Sequence, residues 1–94
     1  MATYIMFSKL NGEGSRVALQ DRPDRIDAID QDLEAMGVQV VAQYAVTGQY
    51  DMVSIVEAPD TDTVMSAEVA LFDQTHTQTL MAVPMAEFQE RVQR

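Results

Sequence analysis

Two short stretches of this 94-residue sequence hold the side chains that a binding or catalytic site would use. Residues 48–51, Gly-Gln-Tyr-Asp, lie between two runs rich in β-forming residues, and Tyr50 and Asp51 supply a hydroxyl and a carboxylate that can orient a polar ligand or move a proton. Residues 75–79, Thr-His-Thr-Gln-Thr, hold the only histidine of the chain and threonines that share one strand face. We therefore predict six candidate ligand-binding residues: Tyr4, Tyr50, Asp51, His76, Thr77 and Thr79.

Most of these residues also have a simpler, structural interpretation. Gly48 supplies the positive φ of a tight turn, and Asp51 at a strand entrance can accept hydrogen bonds from the backbone amides of that turn. Tyr50 can pack its ring on the sheet with its hydroxyl in water. A single histidine with no identifiable acidic partner in the sequence is most often a surface residue, and threonine is a common strand residue. The turn and the site therefore both stay open as interpretations of residues 48–51.

The residues that this sequence lacks exclude several kinds of site. Without cysteine, the chain has no disulfide, no thiolate nucleophile and no cysteine-ligated zinc or iron–sulfur centre. Gly12 and Gly14 lack the third glycine and the following helix of a dinucleotide-binding loop, so this stretch is predicted as a plain loop. One histidine cannot form a two-histidine metal site within one chain. We predict no metal and no cofactor, with haem as the alternative, because one axial histidine is enough to hold it.

Charge and hydropathy limit the partners. Fifteen acidic and six basic residues give a net charge of −9, which repels phosphate backbones and anionic lipids, so we predict neither a nucleic-acid nor a membrane partner. Apolar residues form 47% of the chain, as in a soluble globular domain, and no apolar run approaches the length of about 18 residues that a membrane helix needs. The N-terminus lacks the basic and long apolar segments of an export signal, so we expect a cytoplasmic protein.

Hydrophobic periodicity predicts the element order β-α-β-β-α-β. Gly37 is the expected end of the first helix, Asp60 is the expected cap of the second, and a short terminal helix is expected to begin at Pro84. Alternating residues predict the strands, and apolar residues three or four positions apart predict the helices. The predicted strands are residues 3–10, 38–47, 50–58 and 75–84, and the predicted helices are residues 23–36 and 61–72.

This order is typical of the ferredoxin-like arrangement, an α+β fold in which two helices pack on one face of a four-stranded antiparallel sheet. No linker or composition shift divides the chain, so residues 1–94 are predicted to form one domain. The face without helices is apolar in either phase of the alternation, and an uncovered apolar face indicates an interface. A homodimer or higher homo-oligomer that stacks two sheets would cover it. The two alternative sets are Tyr4, Met6, Met52 and Val56, or Ile5, Phe7, Val53 and Ile55.

The Gly-Gln-Tyr-Asp element at residues 48–51, followed by "MVSIVEAPD", resembles the GYD domain family, which is named for that glycine, tyrosine and aspartate. The likeness extends over nearly the whole chain, from "TYIMFSKL" through the hairpin to "THTQTL". The resemblance implies a ferredoxin-like domain similar to the dimeric α/β-barrel proteins, which include small monooxygenases, haem-handling enzymes and ligand-sensing modules. It implies no particular activity, because fold analogy does not determine function.

Three functions are compatible with these observations. The first, which we expect, is a non-enzymatic or regulatory homodimer that binds a small molecule or a protein through a cleft between sheet and helices or between protomers. The second is a small oxygenase of the dimeric-barrel type, cofactor-free or haem-dependent, with His76, Tyr50 or Asp51 in its cleft. The third is a structural subunit of a larger assembly.

Overall fold

The computed structural model describes residues 1–10, 23–71 and 75–92, and these segments confirm the ferredoxin-like order β-α-β-β-α-β with a short helix at the end. The loop predicted around Gly12 and Gly14 lies outside the described residues, as does the predicted end of the second helix at residue 72. None of the described helices is long and apolar enough to cross a membrane. The elements are β1 (Ala2–Leu10), α1 (Pro23–Ala35), β2 (Gln39–Ala45), β3 (Met52–Ala58), α2 (Thr61–Ala70), β4 (Thr75–Ala82) and α3 (Met85–Val92).

The four strands form one antiparallel sheet in the order β2-β3-β1-β4. The central strands β1 and β3 bury alternate residues, as expected for strands whose successive side chains point to opposite faces. We call the covered side the helix face. On β1 and β3 it consists of Tyr4, Met6, Ser8, Leu10, Met52, Ser54, Val56 and Ala58.

Helix α1 ends at a glycine, as the sequence predicted. Gly37 has a φ of 89°, and its amide donates to the carbonyl of Glu34 at 3.0 Å. The amide of Val38 donates to the carbonyl of Leu33 at 2.9 Å, which completes a Schellman motif. Val38 and Leu33 are both buried, so the turn that ends the helix also directs the chain into the core.

Helix α2 begins at a capping aspartate. Asp60 has an extended backbone, and its carboxylate accepts a hydrogen bond from the amide of Thr63 at 2.8 Å. The predicted core positions Val64, Ala67 and Leu71 are 1%, 0% and 4% exposed, so this spacing does place one helix stripe in the core. Helix α3 differs, because none of its residues is buried within the chain.

None of the described helices packs over the opposite side of the sheet, and we call that side the open face. Of the two phases that the sequence allowed, the structure selects the one with Tyr4 and Met6 under the helices and with Ile5 and Phe7 on the open face. Tyr44 and Leu80 are 58% and 47% exposed at its two edges. Its apolar residues are Ile5, Phe7, Tyr44, Val53, Ile55 and Leu80.

Candidate functional site

Gly48 forms the turn between β2 and β3, as predicted. Its φ is 102°, a backbone conformation that L-residues with a side chain rarely adopt, and a Cβ added there would meet no atom within 4 Å. Across the loop, the amide of Val46 donates to the carbonyl of Asp51 at 3.1 Å. Backbone conformation, and not lack of space, therefore accounts for the glycine.

Asp51 is a buried residue that joins the hairpin to β1. It is 5% exposed, and its Oδ2 accepts a hydrogen bond from the amide of Leu10 at 3.0 Å. Its own amide donates to the carbonyl of Ser8 at 3.0 Å. This pair of bonds joins the hairpin to the end of the neighbouring strand β1. Such a carboxylate holds two strands in position.

Tyr50 lies half-buried on the open face. Its ring centroid is 5.4 Å from that of Phe7, with the ring planes tilted by 47°. Its hydroxyl donates to Oε1 of Gln78 on β4 at 2.6 Å. The ring packs on the sheet as predicted, and the hydroxyl bonds to a side chain of the outer strand.

A depression of about 360 Å³ lies at this end of the open face, and we call it the Tyr50 cavity. It brings together three of the six predicted site residues, Tyr50, His76 and Thr77. Lys9, the register partner of His76, contributes a positive charge, and no acidic residue is among the described lining residues. The remaining lining residues are Gln49 and Gln78.

Tyr4 and Thr79 lie on the helix face, beside a second cavity of about 380 Å³ between α2 and β4. The Tyr4 hydroxyl is 3.0 Å from Oγ1 of Thr61, and the Thr79 hydroxyl donates to Oε2 of Glu68 at 2.9 Å. We call this the Glu68 cavity. The six predicted residues therefore do not converge on one site: they divide between two cavities on opposite sheet faces, with Asp51 in the hairpin.

The threonines of β4 form part of a hydroxyl cluster on the helix face. Oγ1 of Thr77 is 3.1 Å from Oγ of Ser8 and 3.0 Å from Oγ1 of Thr75. Thr77 and Thr79 share a face as predicted, and Thr77 is also among the residues that line the Tyr50 cavity. No group of three or more His, Asp or Glu residues in the described segments is arranged to hold a metal ion.

The pKa values of Asp30 and Asp60 are shifted, and both shifts are explained by contacts within the fold. Burial raises the pKa of Asp30 above its ordinary value of 3.8, against the lowering effect of the hydrogen bond that Nε2 of Gln43 donates at 2.7 Å. The side-chain and backbone hydrogen bonds from Thr63 lower the pKa of Asp60. Neither carboxyl group lines the Tyr50 cavity or the Glu68 cavity.

Sequence reasoning missed several lining residues. Lys9 and Gln78 reach the Tyr50 cavity through the register of β1 with β4, which strand periodicity does not reveal. Glu68 and Thr61 carry a detectable signal, because they are seven positions apart on a predicted helix and so fall on one helix face.

Comparison with known proteins gives the family. A family model for the GYD domain matches residues 4–92. The chain is 42% identical over 95 residues, covering 98% of its length and 99% of the relative, to the "Glutamine synthetase and cystathionine beta-lyase binding protein" of Thermus thermophilus. Several crystal structures are similar in fold, among them one from Thermus thermophilus and one from Pyrococcus horikoshii. One, from Thermus thermophilus, has a TM-score of 0.52 and 26% identity and covers 88% of this chain and 94% of its own. The other, a hypothetical protein from Pyrococcus horikoshii, has a TM-score of 0.55 and 20% identity with coverages of 88% and 90%. The chain belongs to the GYD domain family.

Proposed function

We propose that this chain is a protein-binding module that works as a homodimer, with the open face as the contact between the two copies. The observation that carries the proposal is the apolar centre of that face. Cross-strand rows make this clear: Ile5 lies between Ile55 and Leu80, and Phe7 lies between Val53 and Gln78. An apolar patch this continuous is typical of a protein–protein interface.

Polar residues border the apolar rows at both ends of the open face. Lys9 pairs with His76 at one end, and Glu57 lies between Gln39 and Thr3 at the other. An apolar centre with a polar rim is the usual arrangement of an interface.

The charges at the two ends suit a second copy of the same chain. A two-fold axis that reverses the strand direction places the two apolar rows of one copy on those of the other. The same operation brings the Lys9 end of one copy over the Glu57 end of its partner, so each contact occurs twice. This self-complementary arrangement favours a homodimer over a face open to water.

The hydrogen bonds of the β2–β3 hairpin support a binding role for the Gly-Gln-Tyr-Asp element. The Asp51 carboxylate accepts a hydrogen bond from the Leu10 amide, and the Tyr50 hydroxyl donates one to Gln78. Both side chains therefore help to shape the edge of the open face. A relative that is 42% identical over nearly its whole length is named for binding two enzymes. We therefore propose enzymes of amino-acid metabolism, glutamine synthetase and cystathionine β-lyase among them, as the partners of the dimer.

Sedimentation velocity with a fluorescently labelled chain tests the partner proposal. Each of the two enzymes, taken from the organism that encodes this chain, is titrated against the labelled protein. We expect the label to move with at least one enzyme, and unlabelled chain to displace it. If the label sediments alone in the presence of both enzymes, the assignment of these partners is wrong.

A further inference from the structure

The Glu68 cavity is built from one stripe of α2 and two strands of the sheet. Thr61, Val64, Met65 and Glu68 occupy positions i, i+3, i+4 and i+7 of α2, which place them on one side of the helix. The strands add Tyr4 from β1 with Thr79 and Met81 from β4, and Tyr4 and Met81 are register partners.

The cavity exists because the cover over β4 is incomplete. Along the helix face of β4, exposure rises from 4% at Thr75 to 65% at Met81. Thr77 and Thr79, between them, are half-buried. A groove about 380 Å³ in volume therefore remains between α2 and the outer strand, which is within the usual range for small-molecule pockets.

The lining combines a rigid apolar floor with an adaptable mouth. Val64 and Tyr4 are 1% and 3% exposed and fixed in the core. Met65 and Met81 are 58% and 65% exposed, and their flexible thioethers can adjust to ligands of different shape. The cavity therefore presents hydrocarbon surface that is fixed at its base and adjustable at its entrance.

Among the described lining residues, the charged side chain is that of Glu68, which is negative. Glu68 is half-buried, and the hydroxyl of Thr79 holds its carboxylate by donating to Oε2 at 2.9 Å. The hydroxyls of Tyr4 and Thr61 contact each other at 3.0 Å. No lysine, arginine or histidine lines this cavity in the part of the chain that the structure describes. A half-buried carboxylate beside apolar side chains favours a ligand that has both a cationic group and a hydrophobic body.

We propose that the Glu68 cavity binds a small apolar molecule that carries an ammonium group, such as an alkylamine or arylamine. The ammonium group donates to Glu68, and the hydrocarbon part packs between Val64 and the two methionines. The cavity is on the opposite side of the sheet from the open face, so a homodimer leaves it accessible. This ligand site is a property of the chain that neither dimerisation nor enzyme binding requires.

A titration of the full chain with benzylamine tests the proposal. With methionine methyl groups labelled with ¹³C, we expect the NMR signals of Met65 and Met81 to shift saturably. We expect the signal of Met36, which is not among the described lining residues, to stay unchanged. Benzyl alcohol has nearly the same shape without the charge, and we expect it to bind at least about tenfold more weakly. Equal binding of the amine and the alcohol, or no shift at Met65 and Met81, overturns the proposal.

A charge-removing substitution gives an independent measurement. Glu68→Gln keeps an oxygen that can accept from Thr79, and we expect it to weaken benzylamine binding by about tenfold or more. The matched control Glu90→Gln, on the exposed helix α3, is expected to leave the affinity unchanged. Unchanged affinity in Glu68→Gln contradicts the proposal. If Nα-acetyl-lysine amide binds more tightly than benzylamine, the natural occupant is a protein side chain and the small-molecule assignment is wrong.

Discussion

At the scale of single residues, the buried carboxylate of Asp51 ties the β2–β3 hairpin to β1. Its Oδ2 accepts a hydrogen bond from the amide of Leu10, at the end of β1, at 3.0 Å. A buried amide without an acceptor is costly, so we expect the loss of this hydrogen bond to destabilise the fold. Tyr50 beside it packs on Phe7 and bonds to Gln78, which fixes the same end of the open face.

We predict that Asp51→Ala lowers the free energy of unfolding by about 1 to 3 kcal/mol, because the Leu10 amide loses its acceptor in a buried place. Urea denaturation followed by circular dichroism measures this change. Asp32→Ala is the matched control, since Asp32 is an exposed aspartate of α1, and we expect its effect to stay within about 0.5 kcal/mol. Similar values for the two variants would show that the Asp51 bond has no special role.

At the scale of the elements, helix ends and strand register determine where each side chain lies. The Schellman motif at Gly37 turns the chain from α1 into the core, and the Asp60 cap begins α2. Because α2 starts where it does, its stripe from Thr61 to Glu68 faces the groove beside β4. The Asp60 cap therefore directly precedes Thr61, the first residue of the stripe that lines the Glu68 cavity.

We predict that the contribution of the Asp60 cap depends on pH. Its folded-state pKa is lowered from the ordinary 3.8, so the ionised cap stabilises the fold fully above that value, and this stabilisation is lost as the pH falls through the lower folded pKa. Thermal unfolding of wild type and Asp60→Ala between neutral and strongly acidic pH measures it. We expect the difference in Tm between them to shrink with acidification.

Asp60→Asn separates the charge from the hydrogen bond. Asparagine also caps helices but does not titrate, so its advantage over alanine should not change with pH. If the Asp60→Asn and Asp60→Ala proteins instead unfold at the same Tm at every pH, a hydrogen bond from the Thr63 amide at this position does not stabilise the fold.

The element order, helix boundaries and turn glycines could be predicted because each depends on local spacing. The predicted stripe of Val64, Ala67 and Leu71 is in the core for this reason. The sequence could not predict which side of β1 faces the helices, because Tyr4 and Met6 alternate with the equally apolar Ile5 and Phe7. Only the packing of the helices selects between the two pairs.

The composition of each cavity depends on contacts that are distant in sequence. Tyr50 meets Gln78 from 28 positions away, and Asp51 meets Leu10 from 41 positions away. Both contacts follow from the strand order β2-β3-β1-β4 and its register. Without the strand order and register, the sequence suggested one site for Tyr4, Tyr50, Asp51 and the β4 residues, although they lie in three separate places.

At the scale of the whole molecule, the sheet separates two surfaces with different chemistry. The helix face carries the core and, at its edge, the Glu68 cavity with the carboxylate of Glu68. The open face carries an apolar centre with Lys9 at one end and Glu57 at the other. This division allows self-association on one side and leaves the helix side free for ligands and other proteins.

The most direct test of the account is sedimentation equilibrium of the purified chain and of Ile55→Glu at micromolar concentration. Ile55 lies at the centre of the open face, and a carboxylate buried there between two copies would have no partner, at a cost of several kcal/mol, on the order of 3 or more. Val69→Glu is the matched control, because Val69 is 75% exposed on α2, away from the open face.

We predict that wild type and Val69→Glu sediment as dimers and that Ile55→Glu sediments as a monomer whose circular dichroism spectrum is unchanged. A wild-type monomer, or a dimer that survives Ile55→Glu, would contradict the assignment of the open face as the contact between copies.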